Sequence, residues 1–500
     1  IDIFFGYQLL GITILYLLPD LFLKKDWMLN LQWRLPLRIF GAAFLFITSI
    51  VLFTQDKSGH IAINYFILAL FCTAYALAYR NAYLAYLPAA YLALTTVYAL
   101  DAFNVDAWLP ALTGLSVIYY LAGVFLRKQE KWGDMFRNSG MALGTILALV
   151  ALSATKETGG WYALIIGLLF ISETHLRHNG WFEIGVPIHF SIGVFLILHD
   201  FKVEQIPYQL LAHSLVWLLS DLLTHLTFKD PRPLRVIVRF IGGALVLVNF
   251  AFLFAETDSW IPVIGFGIYT LLFLTISLLY RQPTLLYTFT LTLPLFVAFL
   301  FRAFEITQWI HPVIAVAVAY YVLGTTLRVK NRATGWDQSL LYSGLGVGVI
   351  VSIGAPILGG LDASIPVAIA ATLWAFEAFI KRNAWLAFPA NALYLLAYFI
   401  ILFELNVNEP QFFSVGTALF GLIQHYLLTR ADSKSGTFIM GMFSQFVLLG
   451  TTYIEMVNKN EIGYFFLLFV QSLVILVYGL VIRSRSLTLF PIGFVALGVI

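Results

Sequence analysis

Residues 61–100 read IAINYFILALFCTAYALAYRNAYLAYLPAAYLALTTVYAL. Two apolar stretches, 61–79 and 82–100, lie on either side of Arg80-Asn81, and these two residues are enough only for a turn. A helix needs about 20 apolar residues to cross about 30 Å of hydrocarbon. This segment therefore predicts a hairpin of two transmembrane helices, and the same arrangement continues along the whole chain.

The composition is that of a membrane protein. Of the 500 residues, 61% are hydrophobic, 16% aromatic and only 11% charged, and the mean hydropathy is +0.89. A water-soluble protein is therefore excluded. The net charge of +3 is too small for nucleic-acid binding, and the single cysteine, Cys72, excludes a disulfide framework or a Cys-based zinc site. The chain has no Gly-x-x-x-x-Gly-Lys phosphate loop, which argues against a nucleotide-driven pump.

Short polar segments divide the chain into apolar spans of transmembrane length. A β-barrel would instead show segments of about ten residues in which apolar and polar residues alternate, and none does. We therefore predict an all-α integral membrane protein with about 20 transmembrane helices. The predicted spans are 3–23, 35–54, 61–79, 82–100, 107–126, 139–155, 161–176, 183–199, 207–228, 236–255, 260–280, 283–303, 308–327, 338–357, 364–380, 384–403, 411–429, 436–455, 463–482 and 485–500.

Cations are concentrated in alternate loops. The loops after odd-numbered spans, with their flanks, hold 24 of the 29 Lys and Arg residues. Positively charged loops remain on the cytoplasmic side. We therefore predict a multi-pass protein of the inner (plasma) membrane, with its Arg-rich turns in the cytoplasm and residue 1 outside. An upstream span, a signal sequence or a soluble N-terminal part would each place residue 1 outside. The opposite loops hold the other five cations: Lys57, Lys156, Lys202, Arg302 and Lys459.

Two cytoplasmic turns recur at a regular step. The turn that is first seen as Tyr79-Arg80-Asn81 returns after 98, 103, 101 and 101 residues, with its third position at Asn179, Gln282, Asn383 and Ser484. A longer basic loop begins at Lys24, Arg127, Lys229, Arg328 and Arg430. Self-similarity at a fixed period is the signature of a repeat architecture.

The period corresponds to four spans, which are used five times. We predict the copies 1–100, 101–203, 204–304, 305–405 and 406–500 within a single polytopic membrane domain, 1–500. Because four is even, the five copies are parallel, unlike the inverted repeats of many secondary transporters. Each hairpin is then expected to pack against its neighbours in a row or ring.

The tandem hairpins, the Arg-Asn turns and the ending VIRSRSLTLFPIG at 481–493 give the chain a family resemblance. It resembles the large polytopic membrane proteins of bacteria that are built from tandem repeats, have no assigned function and often carry a soluble N-terminal part. The resemblance extends over the whole chain. It implies no activity, because those families have no assigned catalytic residues.

Polar residues at membrane depth are concentrated between residues 173 and 225, which contain six of the nine histidines. Ionisable groups in a membrane are costly, so they are functional candidates by default. Spans 7 to 9 are predicted to surround a polar pocket. If His189 and His213 face the same cavity, a proton relay or a metal site could be built there. The alternative is that Glu173 pairs with Arg177 at its own helix end and that the histidines only pack helices. The candidate pocket residues are Glu173, His189, His213, Asp221 and His225.

Asp221 distinguishes the third copy from the others. Counted back from the basic loop, it corresponds to Tyr16, Tyr119, Tyr320 and Leu422, so repeat packing alone would not require a carboxylate there. A buried Asp without a partner would cost several kcal/mol or stay protonated. We therefore expect Asp221 to contact His225, which is one turn away on the same face, a loop cation, or water.

Acids also recur in the outer loops, at Asp101, Asp106, Asp200 and Glu204. Their repetition favours a structural role in the loops. In an enzyme that acts at the outer surface, these acids and His199 would be the residues that carry the chemistry.

Three function classes remain. A non-enzymatic scaffold, sensor or complex subunit explains the regular repeat and the sparse polar interior, and it is favoured. A transporter or flippase of lipid-linked or hydrophobic substrates would use crevices between repeats, and a membrane enzyme of the outer surface is the third class. The sequence predicts no cofactor, no metal site, and no nucleic-acid or nucleotide partner. The expected partners are the lipid bilayer and, for a complex subunit, other membrane subunits.

Overall fold

The computed structural model describes residues 3–22, 31–154, 158–177, 180–227, 234–258, 260–330, 335–484 and 486–499. Within these ranges the chain forms twenty α-helices, α1–α20, and no strand. Nineteen helices are long and apolar enough to cross a membrane. The predicted all-helical class is confirmed, and the apolar helices indicate a multi-pass membrane protein.

The helices follow one another with short connections. The first ten are α1 (Ile3–Phe22), α2 (Leu31–Leu52), α3 (Ser58–Tyr79), α4 (Tyr86–Ala102), α5 (Trp108–Phe125), α6 (Glu130–Ala154), α7 (Gly159–Arg177), α8 (Gly180–Asp200), α9 (Ile206–Thr227) and α10 (Leu234–Ala255). The second ten are α11 (Trp260–Tyr280), α12 (Leu286–Ala303), α13 (Ile310–Val329), α14 (Trp336–Leu358), α15 (Ser364–Lys381), α16 (Ala387–Glu404), α17 (Pro410–Arg430), α18 (Lys434–Lys459), α19 (Ile462–Ile482) and α20 (Ser486–Val499).

Every helix except α6 begins and ends within four residues of its predicted span. The described part of α20 has 14 residues, so that 19 helices in the described ranges have spanning length. α6 begins at Glu130, nine residues before its predicted start at 139. The extra turns are charged, but Met135 packs with Ala76, Ala82 and Ala85, and this burial extends the helix beyond its apolar stretch.

The chain divides into two compact units, Ile1–Phe252 and Leu253–Ile500. In the first unit α5 and α6 pack closely at Gly140, where an added Cβ would lie only 2.6 Å from the Ser116 carbonyl oxygen. In the second unit α13 and α14 pack in the same way at Gly344, where an added Cβ would lie 2.7 Å from the Ala317 carbonyl oxygen. Glycine lets two helix backbones approach closely at these points.

Four even-numbered helices end in the same left-handed turn. The residue with positive φ is Asn104, Lys202, Glu305 or Asn406, with φ between 52° and 59°. In each case the next amide donates to a carbonyl five residues earlier, as Val105 N does to Leu100 O at 2.9 Å. This bond closes the helix end. We call the ends of the even-numbered helices the acidic-turn ends, after the acids that accompany these four turns.

At the opposite ends of the helices, an arginine is the residue with positive φ in four turns. Arg80, Arg281, Arg382 and Arg483 have φ between 49° and 57°. At two of the turns, the next asparagine starts the following helix. The Asn81 Oδ1 atom accepts a hydrogen bond from Tyr83 N, and Asn383 Oδ1 accepts one from Trp385 N, both at 3.0 Å. The Arg-Asn pair is therefore a helix stop followed by a helix start. We call the ends of the odd-numbered helices the Arg-turn ends.

Candidate functional site

The first ionic cluster lies at the Arg-turn end of α1. Asp20 is buried, and the Nε atom of Arg38 on α2 donates to its Oδ2 at 2.9 Å. Arg34 Nε lies 3.6 Å from Asp20 Oδ1. From α3, the Tyr75 hydroxyl donates to Oδ2 at 2.6 Å, and the Tyr79 hydroxyl donates to the same oxygen. One carboxylate thus joins three helices.

Asp221 on α9 has the same kind of environment. It is buried, and two arginines of α10 reach it. Arg235 Nε donates to Oδ1 at 3.2 Å, and Arg239 Nε donates to Oδ2 at 3.0 Å. The contact with a cation at the flank of the loop, which is one of the contacts expected for Asp221, is therefore present.

These ion pairs change the correspondence between copies. Asp20 and Asp221 each contact two arginines of the following helix, and the spacing along the chain from acid to arginine is the same in both clusters. Asp221 therefore corresponds to Asp20 and not to Tyr16. The count from the basic loop failed because the first lysine of a loop tolerates a shift, whereas an ion pair between packed helices requires one position. A carboxylate at this position is thus not unique to the third of the predicted copies.

Glu173 on α7 lies in a third cluster. Arg177, one turn later, contacts its Oε1 atom, and Arg137 Nε on α6 lies 3.3 Å from its Oε2 atom. Asp134 bridges the two arginines, with Arg177 Nη2 3.0 Å from its Oδ1. Two carboxylates and two guanidinium groups therefore balance in charge. The pairing of Glu173 with Arg177 that we had considered as the alternative is observed.

A fourth cluster surrounds Glu377 on α15, close to the end of that helix as Glu173 is close to the end of α7. Lys381 Nζ lies 2.9 Å from its Oε1, and Arg328 Nη2 on α13 lies 3.2 Å from the same atom. The Tyr321 hydroxyl donates to Oε2 at 3.1 Å. As with Glu173, one cation lies one turn later on the same helix and the other comes from another helix.

The four clusters follow one plan. Side-chain exposure of the central carboxylate is at most 5%, and each carboxylate contacts two cations. All four lie at Arg-turn ends, and their acids belong to α1, α7, α9 and α15. Two other buried carboxylates in the described ranges, Glu183 and Asp337, lie in the first turns of α8 and α14, where the helix dipole favours negative charge.

His189 and His213 contact neutral groups, whereas His225 lies close to the ionic cluster of Asp221. His189 is buried on α8, with Nδ1 2.7 Å from Gly185 O and Nε2 3.1 Å from Thr145 Oγ1, and its ring stacks on Phe170. The His213 Nδ1 atom lies 2.7 Å from Gln209 O. His225 is half-buried, one turn after Asp221. The structure thus places Glu173 and Asp221 beside arginines, and the shared pocket of spans 7 to 9 stays a prediction.

Two of the four acids that we predicted for the outer loops link helix ends. Asp101, at the end of α4, accepts a hydrogen bond from the Ser58 hydroxyl at the start of α3. Asp200, at the end of α8, accepts one from Thr158 N just before α7, at 3.2 Å. Asp106 and Glu204 are exposed. Glu404, at the end of α16, accepts a hydrogen bond from Gly360 N before α15 at 2.6 Å, so the same link recurs.

Each unit also contains an apolar crevice that the sequence did not locate. In the first unit, α4, α5 and α6 line a cavity of about 720 Å³. In the second, α12, α13 and α14 line one of about 950 Å³. The walls of the two crevices correspond in sequence. The residue numbers of corresponding wall residues differ by one fixed value on the first two helices of each set, and by a slightly larger value on the third helix. The pairs are Ala90 and Leu291, Trp108 and Trp309, Leu112 and Val313, and Leu147 and Val351.

No family model, curated protein or solved structure matches this chain. Among the residues that the structure describes, no three His, Cys, Asp or Glu side chains are grouped so that they could hold a metal ion. The chemistry of the clusters and crevices therefore rests on their own residues and distances.

Proposed function

We propose that the protein is a non-enzymatic multi-pass membrane scaffold or a subunit of a membrane complex. It consists of five parallel four-helix repeats, and its Arg-turn ends face the cytoplasm. The regular step of the left-handed turns at Asn104, Lys202, Glu305 and Asn406 supports the repeats. The concentration of cations at the Arg-turn ends supports the orientation. The lipid bilayer and other membrane subunits are its partners.

One observation carries the proposed role: each of the four clustered buried carboxylates is held by two cations. A general acid or a general base must reach its substrate with a carboxylate oxygen. In these four clusters the carboxylate oxygens contact cations, most of them on a neighbouring helix, and so tie packed helices together. The clusters therefore act as locks between helices, as a rigid scaffold needs.

Stability measurements test this role. Removing one partner from a buried ion pair costs about 3–5 kcal/mol, because it leaves an unpaired buried charge. We expect Glu173→Gln, Asp221→Asn and Glu377→Gln to lower the free energy of unfolding in detergent micelles by amounts of this order. Glu409→Gln is the matched control, since Glu409 is exposed and contacts no cation among the described side chains.

The opposite result would support a functional pocket. Residues that serve a function often reduce stability, so that replacing them leaves the fold as stable as before or more stable. If Glu173→Gln and Asp221→Asn leave stability unchanged or raise it while Glu377→Gln lowers it, the stretch from 173 to 225 is a functional site and the scaffold proposal fails.

A transporter or flippase is the second candidate, and the two apolar crevices favour it. The test is the movement of a fluorescent phospholipid across proteoliposomes that contain the whole chain. A scaffold leaves the rate equal to that of protein-free vesicles. Protein-dependent movement that is abolished when the crevice of the second unit is filled by Gly354→Leu would replace the scaffold proposal with this one.

A further inference from the structure

The crevice of the second unit is apolar along its walls and polar at one end. Leu291, Leu295, Val313, Val347 and Ile350 are among its apolar lining residues. Its volume of about 950 Å³ lies within the range of sites that enclose a whole ligand. These walls suit hydrocarbon chains, and the polar end determines which head group can accompany them.

The polar end lies at the acidic-turn ends of α12 and α14. Arg302, in the last turn of α12, is exposed, and its guanidinium makes no ion pair or hydrogen bond with any residue that the structure describes. Glu305 and Asp362 line the same mouth, and Asp362 accepts a hydrogen bond from Gln308 at 3.1 Å. His311 adds a buried Nδ1 atom that lacks a hydrogen-bond partner within the described part of the chain.

This set of charges is mixed, with one cation and two carboxylates around one opening. A purely anionic head group would be repelled by Glu305 and Asp362, and a purely cationic head group would be repelled by Arg302. A head group with both a phosphate and an amine has a partner for each charge, because arginine binds phosphate well and carboxylates accept from ammonium.

We propose that this crevice binds one membrane phospholipid with a primary-amine zwitterionic head group. The acyl chains lie between α12, α13 and α14. The phosphate faces Arg302 and His311, and the ammonium faces Glu305 and Asp362. This inference goes beyond the proposed function, because a scaffold does not require head-group selectivity.

The equivalent crevice of the first unit provides an internal comparison. Its walls correspond, but none of its lining residues is charged. At the positions of Arg302, His311 and Asp362 the first unit has Asp101, Pro110 and Thr158. Head-group selectivity should therefore come from the second crevice alone.

Native mass spectrometry of the delipidated whole chain tests the proposal. Phosphatidylethanolamine, phosphatidylglycerol and phosphatidylcholine are added in turn, and bound lipids are counted. We expect one selective phosphatidylethanolamine, and we expect Arg302→Gln to weaken its binding about tenfold through loss of a charge-assisted contact. Lys57→Gln, which removes an exposed cation at a different loop, should leave binding unchanged.

Two glycines of α14 separate loss of the site from loss of the fold. A Cβ at Gly354 meets nothing within 4 Å, and Gly354 lines the crevice, so Gly354→Leu should fill the site and abolish selective binding. A Cβ at Gly346 also meets nothing within 4 Å, but Gly346 lies on the exposed face of the helix. Gly346→Leu should therefore retain selective binding. Equal binding of phosphatidylglycerol, or unchanged selectivity in Arg302→Gln or Gly354→Leu, would overturn the proposal. The scaffold role would stand in either case, because its test concerns other residues.

Discussion

Arg38 donates from Nε to Oδ2 of Asp20 at 2.9 Å, and Arg239 makes the same contact with Asp221 at 3.0 Å. The first pair connects α1 with α2, and the second connects α9 with α10. Since the same atoms meet at nearly the same distance in both pairs, their energetic contributions should agree as well. Equal contributions would indicate a structural ion pair that is repeated along the chain, and unequal contributions would indicate a site that is present only at Asp221.

A double-mutant cycle should measure the same coupling in both pairs. Contacting ionic residues couple by about 0.5–3 kcal/mol, and we expect values in this range for Asp20→Asn with Arg38→Gln and for Asp221→Asn with Arg239→Gln. The measurement is the free energy of unfolding in detergent micelles. Arg239→Gln with Glu204→Gln is the control, because this pair is not in contact and should be additive. A coupling confined to Asp221 would contradict a repeated lock.

The two kinds of turn should be reached from opposite sides of the membrane. Tyr83 and Phe103 are 73% and 78% exposed and lie beside an Arg-turn end and an acidic-turn end respectively. In a Cys72→Ala background, Phe103→Cys should react with an impermeant maleimide in whole spheroplasts, and Tyr83→Cys should react only after the membrane is opened. Labelling of both from the same side would be incompatible with the predicted orientation.

The asparagines after the arginine turns should matter where their side chains cap the next helix. Replacing an asparagine that accepts a backbone hydrogen bond costs about 1 kcal/mol, so we expect a loss of this size for Asn81→Ala and Asn383→Ala. Their Asp variants keep the acceptor and should retain most of the stability. Gln282 makes no such cap, and Gln282→Ala should be neutral. A similar loss at Gln282 would show that the cap is not the cause.

Gly344 should tolerate no side chain. An added Cβ would lie 2.7 Å from the Ala317 carbonyl oxygen, and forcing atoms into a packed interface costs about 1–3 kcal/mol. Gly344→Ala should therefore lower the thermal unfolding temperature. Gly346→Ala, on the open face of the same helix, should be neutral or slightly stabilising because alanine favours helix more than glycine does. Equal effects would mean that the α13–α14 approach is not limited by this contact.

The helical class, the places of the spans and the regular step of the turns could be predicted from the sequence. Each of these features depends on residues that are close in the chain. An apolar stretch long enough to cross a membrane becomes a helix because its backbone must satisfy its own hydrogen bonds there. Arg80-Asn81 and its copies mark helix ends because the stop and the cap are local. The pairing of Glu173 with Arg177 is local as well, since the two residues are one helical turn apart.

Tertiary structure decided the contacts that join residues distant in the chain. The sequence alone does not determine whether Arg38 faces Asp20 or Arg239 faces Asp221, because each pair lies on two different helices. The packing of the two helices brings each pair into contact. Arg328 reaches Glu377 from a different helix, and the crevices exist only where three helices leave a space between them. The lengths of the loops vary between the predicted copies, whereas an ion pair between packed helices requires one fixed spacing. Counting residues from the loops therefore could not show that Asp20 and Asp221 occupy corresponding positions.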